Sequence, residues 1–116
     1  MNIRSIILSA LPLNISGVEV VDPVVTLFGE DWSLNLMCPW KFEDAESSFS
    51  WESESVDRRA RSLVGRKIEK LIAGAEAIDP VFCLSGAAYL SIYADTDIDP
   101  WTLVIPGSII TGKKAG

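Results

Sequence analysis

Three aspartates alternate with other residues in Asp95-Thr96-Asp97-Ile98-Asp99, and this is how a calcium-binding EF-hand loop begins. Such a loop also needs glycine at its sixth position, where the chain turns sharply, and glutamate at its twelfth, where both carboxylate oxygens bind the ion. The sequence has Pro100 and Pro106 at those positions. The segment is therefore predicted to be a turn, in which the carboxylates accept hydrogen bonds from nearby backbone amides.

The residue types that most often carry catalysis are scarce in this chain. It contains no histidine, which is the commonest general base, the commonest metal ligand and the usual partner of a nucleophilic serine or cysteine. It also lacks the glycine-rich phosphate-binding loop and the Gly-x-Ser-x-Gly nucleophile motif. We therefore expect a protein that is not an enzyme and that uses no cofactor and no metal.

Acidic residues are concentrated in the first half of the chain. Residues 1–57 carry ten acidic and two basic side chains, whereas residues 58–116 carry six acidic and eight basic ones. Six of the acids lie within 43–57, together with two aromatic residues that look exposed. Carboxylates steer a basic partner toward the surface, and aromatic side chains provide contact area. The predicted partner-binding residues are Glu43, Asp44, Glu46, Phe49, Trp51, Glu52, Glu54 and Asp57.

Two other interpretations of these charges were weighed. The acidic segment has the composition of a solvated loop or edge hairpin that keeps the domain soluble. The basic run Arg58-Arg59-Ala60-Arg61, followed by Arg66-Lys67, would suit nucleic acid on its own. The whole chain, however, has a net charge of −6, the opposite of the positive surface that phosphate binding requires. We therefore expect no nucleic-acid partner. The basic side chains are expected to neutralise nearby acids or to cover a helix face.

Two stretches of the chain, about 3–42 and 56–105, repeat the same order of features. Each begins with a predicted helix, at 3–11 or 56–63, and ends in a Pro-Trp pair. Matched positions lie between them in the same order: Ile15 and Leu63, Gly17 and Gly65, Leu27-Phe28-Gly29 and Leu84-Ser85-Gly86, Leu34-x-Leu36 and Leu90-x-Ile92, and finally Pro39-Trp40 and Pro100-Trp101. This order predicts one helix–strand–hairpin unit that is used twice.

Alternation of side chains predicts strands in both units, most clearly at 32–36, 81–85, 89–94 and 101–105. One such unit is too small to bury its own apolar face. The two units must therefore pack around one core, with strands of both in one or two antiparallel sheets. The predicted fold is α+β, mostly β, in a single domain spanning 1–116.

Four residues have predicted structural roles in this arrangement. Trp40 and Trp101 are expected in the core, because tryptophan contributes a large apolar surface there. Gly29 and Gly86 are expected in tight turns, whose backbone angles favour glycine.

The cysteine content and the apolar runs bear on the compartment. Cys38 and Cys83 lie in apolar segments and do not form a disulfide framework, so both are predicted to be buried, reduced thiols. No apolar run is long enough for a membrane span, and the start of the chain has no convincing signal-peptide cleavage site. We expect a cytoplasmic protein with no membrane partner.

Residues from about 13 to 110 resemble a loose group of small uncharacterised bacterial proteins. The resemblance rests on Asp31-Trp32-Ser33-Leu34 with Pro39-Trp40, on the segments 79–86 and 90–96, and on Asp99-Pro100-Trp101. Some proteins of this kind are immunity proteins that accompany toxins of interbacterial competition, of the contact-dependent growth inhibition type. The resemblance implies that the fold carries no catalytic motif. It also implies that the specificity of binding resides in the variable segment between the two motif clusters, which in this chain is the acidic segment 43–57.

Two functions from different classes are therefore considered. The first is an immunity or inhibitor protein, a monomer or weak dimer, that neutralises a cognate and basic nuclease-type toxin through the acidic surface. The alternative is a small-molecule-binding or enzymatic domain with a pocket between the two units, lined by Trp and Tyr with Asp95 or Asp99. A structural subunit of a larger assembly is a third interpretation.

Overall fold

The computed structural model describes residues 3–21, 24–73, 79–94 and 101–112. Helix α1 spans Ile3–Ala10 and helix α2 spans Val56–Arg61. The strands are β1 Leu13–Asn14, β2 Gly17–Val21, β3 Val24–Phe28, β4 Ser33–Leu36, β5 Trp40–Glu43, β6 Ser48–Ser50, β7 Lys67–Ile72, β8 Val81–Leu84, β9 Ala88–Ile92, β10 Trp101–Ile105 and β11 Ser108–Gly112. The fold is α+β and mostly β, as predicted. The predicted turn at 95–99, with Asp95 and Asp99, lies outside the described residues.

The strands form two antiparallel sheets whose buried faces share one core. The six-stranded sheet has the order β1-β7-β8-β9-β5-β6, and the five-stranded sheet has the order β11-β10-β4-β3-β2. Each sheet contains a three-stranded meander from one half of the chain and a hairpin from the other half, and the six-stranded sheet also has the short edge strand β1 beside β7. The hairpin β5–β6 extends the meander β7–β8–β9, and β10–β11 extends β2–β3–β4. Strands of both halves thus share both sheets, as the sequence predicted.

The tryptophans of the two Pro-Trp pairs are the first residues of β5 and β10, the strands with which each half of the chain enters the other sheet. Trp40 begins β5 and lies opposite Ile92 of β9, whereas Trp101 begins β10 and lies opposite Leu36 of β4. Both indoles are buried in the core, which confirms their predicted role as core residues. Each tryptophan therefore lies in the sheet that contains the three-stranded meander of the other half of the chain.

The helices pack at opposite sides of this core. Helix α2 packs against the edge strands β2 and β6 and buries Ala60, whereas α1 packs against β7 and buries Ile7. The prediction of 56–63 for α2 is too long at its end, because residues 62–64 continue in tighter turns with bonds to the third preceding carbonyl. None of the described helices is long and apolar enough to cross a membrane.

The two turn glycines serve different purposes. Gly86, in the turn between β8 and β9, has a φ of 83°, a left-handed conformation that favours glycine, as predicted. Gly29 has no such backbone angle. A Cβ atom there would overlap the indole of Trp32 and the carbonyl of Asn14, which are themselves joined by a hydrogen bond of 2.9 Å from the indole N–H. Gly29 is therefore required for space, and the predicted reason was wrong.

The two cysteines differ in their surroundings. Both are thiols outside any disulfide. Cys38 is buried, in the bend between β4 and β5, whereas Cys83 is only half-buried in β8. The prediction of two buried thiols is thus confirmed for Cys38 and wrong for Cys83, because the inward positions of β8 belong to Phe82 and Leu84.

Candidate functional site

The predicted partner-binding residues follow one continuous path along the surface. They begin at the end of β5, pass through the β5–β6 turn and β6, and continue through the loop 51–55 into the first turn of α2. Five of the six carboxylates on this path are exposed to solvent, namely those of Glu43, Glu46, Glu52, Glu54 and Asp57. The path therefore presents negative charge at the surface.

The structure does not bring all of these residues together. Strand β6 separates the residues of the β5–β6 turn, at 43–46, from those of the loop 51–55 and α2. Three residues of strand span about 10 Å, so the acidic residues form two groups rather than one patch. We call them the turn group (Glu43, Asp44 and Glu46) and the groove group (Trp51, Glu52, Glu54 and Asp57).

Both carboxylate oxygens of Asp44 are already occupied, whereas Glu43 makes one long and exposed contact, 3.9 Å from Lys41 Nζ. The Oδ1 of Asp44 accepts hydrogen bonds of 2.8 Å from the backbone amides of Glu46 and Ser47, and its Oδ2 accepts one of 2.9 Å from Arg66. These two amides, and then the Arg66 charge, hold the pKa of Asp44 below its ordinary value. Its side chain is only 13% exposed. Asp44 shapes the turn, and it offers little to a partner.

Arg66 completes this arrangement from the other side. Its guanidinium also donates a hydrogen bond of 2.8 Å to the carbonyl of Ser85 and lies 5.2 Å from the centre of the Phe42 ring. It therefore joins the β5–β6 turn to the β8–β9 turn. The prediction that the cations neutralise nearby acids holds for Arg66. Among the described residues, Arg58, Arg59 and Arg61 lie within 4.0 Å of no carboxylate.

The predicted exposure of Phe49 is wrong. The side chain is 5% exposed and lies opposite Phe42 in the pairing of β5 with β6. Its ring centre is 5.0 Å from that of Phe42 and 5.8 Å from that of Trp40. The reason is the alternation of the strand, because Ser48 and Ser50 take the outward positions and Phe49 points into the core. Ser48-Phe49-Ser50 carries this signal in the sequence.

The loop 51–55 and the first turn of α2 border an open depression of about 380 Å³. Trp51, which is 47% exposed, and Asp57 line it together with two serines of the loop. Trp40 is also part of the lining, with apolar side chains from the adjacent strands and α2. The full lining is Val20, Val25, Trp40, Trp51, Ser53, Ser55, Val56 and Asp57. We call this depression the Trp51 groove.

Backbone hydrogen bonds hold the loop that carries Trp51. The amide of Trp51 donates to the carbonyl of Trp40 over 3.2 Å, which continues the pairing with β5 by one residue. The amide of Ser50 donates to the hydroxyl of Ser53 over 2.9 Å, and the amide of Ser53 donates to the carbonyl of Ser50 over 3.0 Å. Ser55 has a φ of 56°, an uncommon conformation for a residue other than glycine. These contacts give Trp51 a defined position at the surface.

The carboxylates beside the groove are available to a partner. Within the described part of the chain, Glu52, Glu54 and Asp57 form no ion pair within 4.0 Å. Val20 and Val25 of the lining were not predicted, because their contact with the loop arises from tertiary packing between distant segments. The arrangement can attract a cation and hold an apolar or aromatic group beside it.

Comparison of the chain with protein-family models, with curated protein sequences and with solved structures finds no match in any of the three.

Proposed function

We propose that the chain is an immunity or inhibitor protein, without catalytic activity of its own, that neutralises a cognate and basic nuclease-type toxin. The observation that carries the proposal is that the exposed carboxylates of Glu52 and Glu54, which form no ion pair among the described residues, accompany the half-exposed ring of Trp51. Tryptophan is among the residues that most often dominate the energy of protein interfaces. Carboxylates around such a residue direct it toward a basic partner.

A nuclease is a suitable partner for physical reasons. Its active site must attract phosphates and is therefore basic, so a surface of carboxylates can occupy the same positions. The Trp51 groove suits one long basic side chain of the toxin. Its aliphatic part would pack on the ring of Trp51, and its charged end would reach Asp57. Glu43 and Glu46 of the turn group would act at longer range by accelerating encounter, whereas the charge of Asp44 is neutralised by Arg66.

We place this activity in the cytoplasm, because a toxin that degrades nucleic acid acts there. We also infer that the two halves of the chain are copies of one unit, as the repeated order of motifs predicts. The reciprocal partners of Trp40 and Trp101 support this inference, since Ile92 and Leu36 are the matched positions of the two stretches.

A second candidate function rests on the same groove. Its volume of about 380 Å³ falls within the range of small-molecule sites, about 300 to 1,000 Å³. Its lining also combines Val20 and Val25 of the first stretch with Val56 and Asp57 of the second. A compound that raises the melting temperature, and loses this effect in Trp51→Ala, would favour this alternative.

The decisive experiment mixes the purified chain with the toxin domain encoded next to it. We expect a complex at micromolar concentration and protection of cells that express the toxin. Glu52→Lys with Glu54→Lys should slow association at least tenfold at low salt and less at high salt, because screening weakens exposed charges. Neither complex nor protection would reject the proposal.

A matched control separates the site from the net charge. Glu30→Lys with Asp31→Lys changes the charge by the same amount in the exposed turn between β3 and β4. That turn lies at the opposite end of β3 from Val25, which lines the groove. We expect this pair to slow association much less than the first pair. Equal slowing by both pairs would show that only net charge matters and that the groove is not the site.

A further inference from the structure

The five-stranded sheet is almost free of charge. Glu19 is the single charged residue among the 24 residues of its five strands. The 24 residues of the six-stranded sheet include five charged ones, at Lys41, Glu43, Lys67, Glu69 and Lys70. Charged residues make up 22% of the chain, so about five are expected in either sheet. The scarcity is therefore specific to the five-stranded sheet.

The outer face of this sheet carries apolar side chains at the surface. Ile109 on β11 is 75% exposed and Val21 on β2 is 65% exposed, at the two edges of the sheet. Phe28 and Met37 are also exposed. Between the apolar positions runs an uncharged polar row on neighbouring strands, formed by Thr111, Thr102, Asn35 and Thr26. A surface with little charge and with exposed apolar side chains is typical of an interface.

We propose that this face packs against the same face of a second copy of the chain. Each copy carries a net charge of −6, so two copies repel one another least when they meet through this face, whose strands carry one charged residue. Five strands about 4.8 Å apart and about five residues long cover roughly 400 Å². Protruding side chains raise the accessible area toward about 600 Å² per copy, the lower limit of specific interfaces. The dimer is therefore weak, with dissociation in the micromolar range.

The position of Glu19 selects one arrangement of the two copies. A two-fold axis perpendicular to the strands would place Glu19 against Glu19 of the second copy, and the like charges would repel. An axis parallel to the strands, along the central strand β4, instead places Glu19 opposite Thr111, whose hydroxyl can donate to the carboxylate. In the second arrangement Val104 also lies opposite Phe28 of the second copy, and Ile109 lies opposite Gly17, which the Phe28 ring covers. This face is separate from the Trp51 groove.

Sedimentation of the full chain over a range of concentrations tests the proposal without any toxin. We expect a monomer–dimer equilibrium whose dissociation constant changes little with salt. Met37→Lys with Ile109→Lys should weaken dimerisation at least tenfold. Both side chains are exposed, so folding should be intact by circular dichroism. The two lysines also lower the net negative charge, so a loss of dimer cannot come from added repulsion between whole molecules.

Ile72→Lys with Tyr93→Lys is the matched control. These exposed apolar residues lie on the other sheet and just beyond β9, and the change in charge is the same. The control should form dimers as the unchanged chain does. Three results would overturn the proposal: a monomer at millimolar concentration, a dimer that persists in Met37→Lys with Ile109→Lys, or a dimer that is lost in the control.

Discussion

The guanidinium of Arg66 lies 2.9 Å from the carboxylate of Asp44 and joins two turns at one end of the molecule. The two residues are 22 positions apart and belong to segments of opposite charge. This contact with Arg66 distinguishes Asp44 from the other acidic residues of the segment 43–57. Asp44 joins two parts of the fold, whereas the carboxylates of Glu52 and Glu54 are exposed and form no ion pair with any described residue.

Asp44→Asn should lower the melting temperature by several degrees at neutral pH. The amide retains an oxygen for the turn amides but loses the charge that binds Arg66, and a hydrogen bond between charged groups is stronger than a neutral one. Thermal unfolding by circular dichroism measures the change. Glu46→Gln, at an exposed neighbour, is the control and should have no effect. Equal melting temperatures for both variants would contradict the role given to Asp44.

The same carboxylate should make stability depend on pH in the acidic range. The pKa of Asp44 in the folded chain is below its ordinary value of 3.8, so the folded state binds this proton less readily than the unfolded state. Its stabilising contribution is therefore present above the unfolded pKa and is lost as pH falls through the folded pKa. Urea unfolding at several pH values should show the difference between the unchanged chain and Asp44→Asn shrinking in acid. A difference that is constant with pH would disprove this assignment.

Phe49 and Trp51 should respond in opposite ways to replacement by alanine. Phe49→Ala removes a buried ring that contacts Trp40 and Phe42, and should cost about 3 to 5 kcal/mol in the free energy of unfolding. Trp51→Ala removes a half-exposed ring and should cost much less, about 1 kcal/mol at most. Urea unfolding measures both values.

Toxin binding provides the complementary measurement for this pair. Trp51→Ala should weaken the complex by roughly 2 kcal/mol or more, about thirtyfold, because the ring is the expected anchor of the interface. Full affinity in Trp51→Ala would remove the groove from the proposed interface, whatever the stability of the variant.

The two cysteines should react at different rates with a thiol reagent. Cys83 is half-buried and accessible in part, whereas Cys38 is buried. One equivalent should therefore react quickly in the folded chain, and the second only upon unfolding. Cys83→Ser should abolish the fast phase. A fast phase that persists in Cys83→Ser would show that Cys38 is the accessible thiol.

Local patterns were sufficient to predict much of the fold. Alternation predicts the strand Trp101–Ile105 with its observed bounds, and the size of each stretch correctly implies sheets shared by both halves. The predicted correspondence between the hairpin β3–β4 and the hairpin β8–β9 is less accurate. In the first hairpin Leu27 lies opposite Leu34. The matched residues of the second hairpin are Leu84 and Leu90, but Leu90 there lies opposite Phe82. Strand register depends on the turn, and the two turns differ in length.

The candidate site depends more strongly on distant contacts, so less of it could be predicted. The segment 43–57 is visible from its composition, and the exposure of Glu52, Glu54 and Trp51 agrees with that prediction. Phe49 was misassigned because charge density was given more weight than alternation. The role of Asp44 requires knowing that Arg66 lies beside it, and the groove requires knowing that β2 and β3 lie beside the loop. Neither proximity follows from local spacing.

The crossing of the hairpins β5–β6 and β10–β11 ties the two halves of the chain to each other. Neither half can complete its sheet from its own residues, so a fragment that ends in the loop 51–55 lacks two strands of its sheet. A protease cut in that exposed loop would therefore leave two pieces that stay interlocked, each acting as the missing part of the other. We therefore expect the molecule to unfold in one cooperative step, and its separated halves to regain structure only when they are mixed.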